Sequence, residues 1–252
     1  MVALAWVDGR ESTLSEAVIP LDDPGFWHGH SAFESLVAVG GKTRDGEAHL
    51  VRLESSAGLL DVPWPGREVI VGDLKAALAR MPDARLRVTL TRGGRRIVVA
   101  SPLDVARFHA PVRVATAPHT DEAHAAAKHG SRIRHALAVS RRGVDDVVWV
   151  DADGRFTEAA NSAVLASIDG ALWTAPWDGR ILPSTTVASL VRRALHLGIP
   201  VVRRGALLSG PFDALYLASA TRDLAPVVSL DGREMRGFDP VGSALAAAYG
   251  ED

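Results

Sequence analysis

The sequence predicts a two-domain α+β protein. A chain of 252 residues is long enough for one large or two small domains. Hairpin signals and helical periods occur in both halves, in mixed order, without the regular β–α–β alternation of a doubly wound sheet. Between the halves, residues 118–130 are rich in His, Ala and Asp and carry no strand period. The expected domains are therefore 1–118 and 119–252.

Each element has a local reason. Residues 3–8 alternate weakly and end in Asp8-Gly9, a hairpin turn signal. Val18–Leu21 is a short apolar run broken by Pro24-Gly25. The second half of Phe26–Gly41 is apolar and β-branched and reads as a strand ending in Gly40-Gly41. Leu50, Leu53, Ala57 and Leu60 repeat with the helical period, as do Val71, Leu74, Leu78 and Met81, predicting helices over 50–60 and 70–81. Leu86–Thr91 and Ile97–Ala100 flank Arg92-Gly93-Gly94-Arg95 as strand, turn and strand, and Val112–Ala117 is another strand. A helix over 131–142, a strand over 146–150, the turn Asp151-Ala152-Asp153-Gly154, a second short strand, and strands over 163–168 and 171–174 follow. Ser184-Thr185-Thr186 opens a helix that stops at Gly198. Strands near 200–203 and 214–218, then a late strand and a short helix, complete the chain.

Composition excludes several classes of function. With 47% hydrophobic and 23% charged residues, the chain is an ordinary globular one. A net charge of -2 and the lack of any basic tract argue against nucleic acid as a partner. There is no cysteine, which removes disulfides, thiolate zinc sites and cysteine nucleophiles. The first residues lack a cationic start and no apolar run reaches a membrane span, so a cytoplasmic protein without a membrane partner is expected.

The chemistry gathers around Lys128, one of only a few lysines in an arginine-rich chain. Glu158 lies thirty residues on (158 minus 128), after a strand, a turn and a second short strand. A lysine that forms a Schiff base and a carboxylate that keeps a pyridine nitrogen protonated are what pyridoxal phosphate chemistry needs. Alone, Lys128 has the plainer reading of a solvated surface lysine. A cofactor phosphate needs a helix N-terminus, hydroxyls and usually an arginine, which Ser184-Thr185-Thr186 and Arg52 offer. Their plainer readings are a helix cap and a solvated helix arginine. His28-Gly29-His30 has no third ligand at a recognisable spacing, so no metal is expected. No Gly-x-Ser-x-Gly elbow is present. Arg92-Gly93-Gly94 lacks a Walker lysine and reads as a hairpin turn. Trp6, Trp64, Trp149 and Trp173 fall on or beside apolar runs and read as core or pocket wall. Trp27, close to Gly29 and Phe33, reads as part of a substrate loop.

Taken in order, these segments resemble one family. Phe26–Ser35 is similar to the "YGDGvFEt" segment of class IV aminotransferases, and His49-Leu-Val-Arg52-Leu53 to its "HlxRL". Lys128-His-Gly-Ser-Arg132 resembles "KxxNR" or "KxxNY", and Gly154–Glu158 resembles "GxvtE". Gly179–Thr186 resembles "GxLpGxTR", and Tyr216–Val227 the late "fxtGTaxxvxPV" loop. The resemblance covers nearly the whole chain. It implies a fold type IV pyridoxal 5'-phosphate enzyme, usually a homodimer, with a smaller N-terminal domain, a larger C-terminal cofactor-binding domain and the site between them. It implies that Lys128 carries the cofactor and moves the proton at the substrate's α-carbon, and that Glu158 holds the pyridine nitrogen. Arg52, Thr185 and Thr186 would bind the phosphate, with Ser219 or Thr221 adding a hydroxyl. Trp27, His28, Phe33 and Arg92 would face the substrate.

The chain also departs from the family pattern. His30 stands for the aspartate of "GDG", Ser184 for the glycine of "LpG", Val187 for the arginine of "GxTR" and Ala220 for the threonine of the late "GT". Asn161 follows Glu158 by three residues where five are expected. The family's members include 4-amino-4-deoxychorismate lyase and the branched-chain and D-amino acid aminotransferases. Lys128–Arg132 is closer to the lyase form "KhlNRL", and the compact length suits it, so the resemblance leads first to a lyase that makes 4-aminobenzoate for folate synthesis. A branched-chain or D-amino acid aminotransferase is the alternative. A non-catalytic or altered-activity binding protein of the family is the third reading.

Overall fold

A computed structural model describes residues 2–248, and the chain forms two compact units. The first begins with strands β1 (Leu4–Val7) and β2 (Arg10–Thr13), the single-turn helix α1 (Pro24–Trp27), and strands β3 (Ser31–Val39) and β4 (Lys42–Thr43). Helices α2 (Gly46–Leu59) and α3 (Arg67–Arg80) and strands β5 (Ala84–Thr91) and β6 (Arg96–Pro102) complete its main part. Its six strands form one antiparallel sheet in the order β2-β1-β6-β5-β3-β4.

Period-two alternation decides the faces of this sheet. Leu86, Val88 and Leu90 of β5 are buried with Ala32, Leu36 and Ala38 of β3 against Leu50, Leu53 and Ala57 of α2 and Ile70, Leu74 and Ala77 of α3. The intervening positions, Arg85, Arg87 and Thr89, take the other face. Along β3 both faces are covered except at its end, so Phe33 and Val37 are buried as well.

The second unit contains β7 (Val112–Pro118), α4 (Ile133–Arg142), β8 (Asp146–Val150), β9 (Phe156–Ala159), β10 (Ala163–Ile168) and β11 (Ala171–Thr174). It continues with α5 (Thr185–His196), β12 (Val201–Arg203), β13 (Ala214–Ser219), β14 (Asp223–Leu230), β15 (Arg233–Glu234) and α6 (Pro240–Ala247). The sheet runs β12-β11-β10-β13-β14-β7-β8-β9, with β15 on β14, and β9 pairs back onto β10 through Glu158 and Ala163. Six strands, β10-β13-β14-β7-β8-β9, thus close on themselves. One core holds Val114, Val148, Phe156, Val164, Leu215, Leu217 and Val227. The alternate residues Leu165, Tyr216 and Leu224 pack instead with Val187, Leu190, Val241 and Leu245 of α5 and α6.

Two features differ from the sequence expectation. The pairs β7–β8 and β11–β12 are parallel, bridged by α4 and α5, so β–α–β units do occur in this half. They escaped the pattern because irregular stretches separate each helix from its first strand. The boundary also falls elsewhere than after residue 118. Ala106–Glu122 belongs to the second unit, because β7 pairs with β14 and β8. Ala123–Arg132 returns to the first unit, through hydrogen bonds to β3 and α2. Among the described residues no helix is long and apolar enough to cross a membrane.

Candidate active site

Lys128 is fixed by its backbone before its side chain does anything. The Phe33 N–H donates to the Lys128 carbonyl at 2.9 Å, and Gly130 N–H donates to the Ser31 carbonyl at 2.8 Å. His129 bridges to Ala32, which makes the segment a short extra partner of β3. From the helix side, the Lys128 N–H donates to the Ser56 hydroxyl at 3.0 Å. Gly130 permits this approach, since a Cβ there would collide with the Ser31 hydroxyl. Gly29, at φ +63°, lies against the Ser131 backbone, where a Cβ would come within 3.1 Å of the Ser131 Cα.

The Lys128 side chain runs along Phe33, its Nζ 4.9 Å from the ring centroid. The Arg87 guanidinium lies 3.8 Å from the same centroid. Burial lowers the Arg87 pKa, and the neighbouring charges of Arg85 and Arg132 lower it further. The lysine is therefore bordered by an aromatic ring that also carries the Arg87 guanidinium.

On the opposite face of β3, Glu34 points into the apolar interior and is 1% exposed. It survives there because α2 places two partners on one side, His49 and Arg52, at a spacing of three residues. Arg52 donates from Nε to Oε1 at 2.6 Å and from Nη2 to Oε2 at 2.9 Å. His49 Nδ1 lies 2.7 Å from Oε2. Burial alone would raise the Glu34 carboxyl. The charge of Arg52, the hydrogen bonds from His49 and Arg52 and the charge of Lys128 together bring it down to about 2. An ionised carboxylate only accepts, so the His49 proton sits on Nδ1.

The expected substrate residues occupy one corner of this unit. Asp23 is buried and accepts from Gly25 N–H at 2.7 Å, from the Thr91 hydroxyl at 2.6 Å and from Gly93 N–H at 3.3 Å. It ties the 24–30 loop to the turn after β5. Trp27 is exposed and meets Phe26 edge-on at 5.4 Å, and His28 is exposed at the end of α1. Arg92 donates its N–H to the His30 carbonyl, and its side chain pairs with Asp61 at 3.2 Å on the surface. His30, the departure from "GDG", reaches the Leu60 carbonyl through Nε2 at 2.7 Å. Of the expected four, Phe33 lies beside the Lys128 amine.

The second unit carries the remaining candidates. Glu158, half-buried on β9, accepts from Leu182 N–H at 3.2 Å and so positions the segment leading into α5. Asp146 holds the adjoining turn, accepting from the Ser162 hydroxyl at 2.9 Å and from Asn161 N–H at 3.1 Å. Its burial pushes its carboxyl up, against the hydrogen bond from Ser162. Ser184 caps α5, accepting from Val187 N–H at 3.2 Å, and Thr185 and Thr186 are buried in the first turn. No acidic residue stands in that turn, while Arg193 and His196 stand in the last, so the helix dipole presents its positive end unopposed by its own side chains. Val187, where the motif has arginine, is turned into the core instead.

Ser219 ends β13, and Thr221 lies in the turn to Asp223, both half-exposed. Asp223 takes a left-handed φ of 53° and pairs with Arg193 of α5 at 2.8 and 3.0 Å. That pair ties the 219–223 turn to α5. Among the described residues no three His, Cys, Asp or Glu side chains gather as a metal site. The residues that sequence reasoning missed are Glu34, His49, Ser56 and Arg87. The first three had a signal, polar side chains inside otherwise apolar strand and helix faces.

Residues 31–230 match the family described as amino-transferase class IV. The chain is 27% identical over 265 residues to the bifunctional aminodeoxychorismate lyase / D-amino acid transaminase of Mycobacterium tuberculosis, across 91% of each. It resembles a solved fold IV-transaminase from Curtobacterium pusillum with a TM-score of 0.85 and 26% identity, over 97% of this chain and 98% of that one. A hypothetical aminotransferase from Mycobacterium tuberculosis, solved in its PLP-bound form, gives a TM-score of 0.86 at 25% identity over 98% of both chains.

Proposed function

The chain belongs to the amino-transferase class IV family, with its fold type IV architecture and its dependence on pyridoxal 5'-phosphate, and we propose that its reaction is the lyase one. The substrate would be 4-amino-4-deoxychorismate, split into 4-aminobenzoate and pyruvate. Each unit carries donors of the kind the cofactor needs: an amine against an aromatic ring and a guanidinium in the first, two hydroxyls at a helix start and a carboxylate in the second. When bound, the cofactor supplies an electron sink for negative charge at the carbon bearing the substrate's amino group.

In this reading Lys128 carries the cofactor and then takes the proton from that carbon. The C–O bond to the enolpyruvyl group breaks, the departing fragment is protonated to pyruvate, and the ring becomes aromatic. Arg52, Thr185, Thr186 and a hydroxyl from Ser219 or Thr221 would hold the phosphate, and Glu158 the pyridine nitrogen. The observation that carries the substrate choice is the Arg87 guanidinium lying 3.8 Å from the centroid of the Phe33 ring that Lys128 also borders. A fixed cation beside the amine favours a substrate that bears carboxylates.

The relative that spans 91% of this chain bears both a lyase and a D-amino acid transaminase name. That favours D-amino acid transamination as the second reading, in which Lys128 would again move the proton at the substrate's α-carbon. A homodimer is part of the proposal, and light scattering of the purified protein checks it. The reactions separate in one assay, in which 4-aminobenzoate and pyruvate are measured with and without an added 2-oxo acid. Lyase activity needs no acceptor. A turnover seen only with a 2-oxo acid and an amino acid overturns the lyase reading. Borohydride reduction followed by peptide mass spectrometry should place the cofactor on Lys128, and Lys128→Ala should lose both label and turnover.

A further inference from the structure

We propose that His30 and Asp23 are positioning residues that pin the 24–30 loop at its two ends, so that the exposed Phe26–Trp27 pair meets the ring of a cyclic substrate already in place. The proposal rests on the lyase reading above and on the expectation that Trp27 faces the substrate.

His30 joins three parts of the first unit. Its N–H donates to the Pro24 carbonyl at 3.3 Å, closing the loop on its own start, and its carbonyl accepts from Arg92 N–H at 2.9 Å. Its ring Nε2 lies 2.7 Å from the carbonyl of Leu60, the residue that ends α2. A carbonyl only accepts, so Nε2 carries the proton and donates. Aspartate, which the family pattern has at this position, is an acceptor alone when ionised and could not make this bond. The departure from "GDG" therefore gives this chain a tether from the loop to α2. Asp23 grips the other end. Its buried side chain accepts from Gly25 N–H within the loop, and from the Thr91 hydroxyl and Gly93 N–H of the turn after β5. The fit leaves no room for larger residues: a Cβ on Gly25 would meet Thr91 at 2.7 Å, and one on Gly93 would meet the Asp23 carboxyl at 2.6 Å. The loop and the turn that bears Arg92 are thus held as one piece.

Between the two pins the aromatic side chains face water. Phe26 and Trp27 are 56% and 65% exposed and stand edge-on to each other. The loop ends beside the lysine segment, where Gly29 lies against the Ser131 backbone. An aromatic pair held open there offers a surface to a flat ring. Ordering it in advance removes a cost that binding would otherwise incur.

The test has two readouts on the cofactor-loaded protein. Chymotrypsin cleavage after Phe26 or Trp27, located by mass spectrometry, reports whether the loop is pinned and involves no substrate. His30→Ala and His30→Asp should be cut on the order of tenfold faster than the parent, while His30→Gln, which keeps a donor, should stay within about twofold. Titration with 4-aminobenzoate, the expected ring product, reports whether the pinned pair meets a ring. His30→Ala and Trp27→Ala should each weaken its binding about tenfold, and His30→Gln should bind as the parent does. In turnover of 4-amino-4-deoxychorismate, the same two variants should raise KM and leave kcat within about twofold. Parental cleavage of His30→Ala, or cleavage of His30→Gln as fast as that of His30→Ala, would overturn the pinning whatever the substrate is. Unchanged 4-aminobenzoate binding in Trp27→Ala would overturn the proposal through its substrate reading, with the pins intact. A changed light-scattering mass in that same variant would then assign the aromatic pair to a second copy of the chain. Asp23→Asn, which replaces one acceptor oxygen by a donor, should repeat the His30→Ala pattern and serves if His30→Ala does not fold.

Discussion

Replacing Asp223 by asparagine isolates one buried charge in the second unit. The side chains of Arg193 and Asp223 are 2% and 3% exposed, joined by hydrogen bonds of 2.8 and 3.0 Å, and Arg193 also donates to the Leu245 carbonyl at 3.2 Å. Asparagine keeps the size of the side chain and tolerates the left-handed backbone at φ 53°. What it removes is the charge that balances Arg193. Breaking a buried pair from one side costs about 3–5 kcal/mol. Because the asparagine carbonyl can still accept one bond, the lower end, about 3 kcal/mol, is expected. Urea unfolding of the cofactor-free protein measures it, with hydrogen exchange of β13 and β14 amides assigning the loss to this region. Pairing Asp223→Asn with Arg193→Met should recover most of the loss, since an apolar side chain leaves no unbalanced charge. An Asp223→Asn protein within about 1 kcal/mol of the parent would refute the reasoning, as would a double variant weaker than the single one.

Two further outcomes follow from the first unit. Glu34 titrates at its ordinary 4.5 when unfolded and at about 2 when folded, so its contribution, about 3 kcal/mol, is whole above pH 4.5 and disappears as the pH falls towards 2. The difference in urea midpoint between the parent and Glu34→Gln should therefore narrow from pH 6 to pH 3, and a constant gap would contradict it. Gly130→Ala should cost about 1–3 kcal/mol through the collision of its methyl with the Ser31 hydroxyl, and adding Ser31→Ala should restore part of it. Thermal melting of Gly130→Ala and of the double variant decides, and an unshifted Gly130→Ala melt sinks the argument.

Much of this was legible in the order of residues. The helices α2, α3 and α5 announce themselves by apolar period, and Asp8-Gly9 and Arg92–Arg95 by turn chemistry. The motifs single out Lys128, Arg52 and Glu158 as the residues to test. What stayed hidden depends on distant parts of the chain. Short elements such as α1, β2 and β15 are set by what they pack on, not by their own few residues. The parallel pairing of β7 with β8 spans an excursion that no local period marks. Glu34 reads as a polar break in an apolar strand until α2 brings His49 and Arg52 beneath it. Val187 looks like a lost arginine, and only the packing of α5 shows that the position faces a core.

The path of the chain through residues 106–132 also bears on how this protein can be taken apart. It leaves the first unit, lays down β7 in the second, and comes back to the first to deliver Lys128 before crossing again at residue 133. No single cleavage separates the units. A fragment ending at residue 105 would keep β3 and Ser56 but lack the segment they hold, and a fragment starting at 119 would carry Lys128 without the strand that orients it. Fragment exchange between relatives would therefore have to move two pieces of chain together, and Lys128 travels with the helix that carries Arg52.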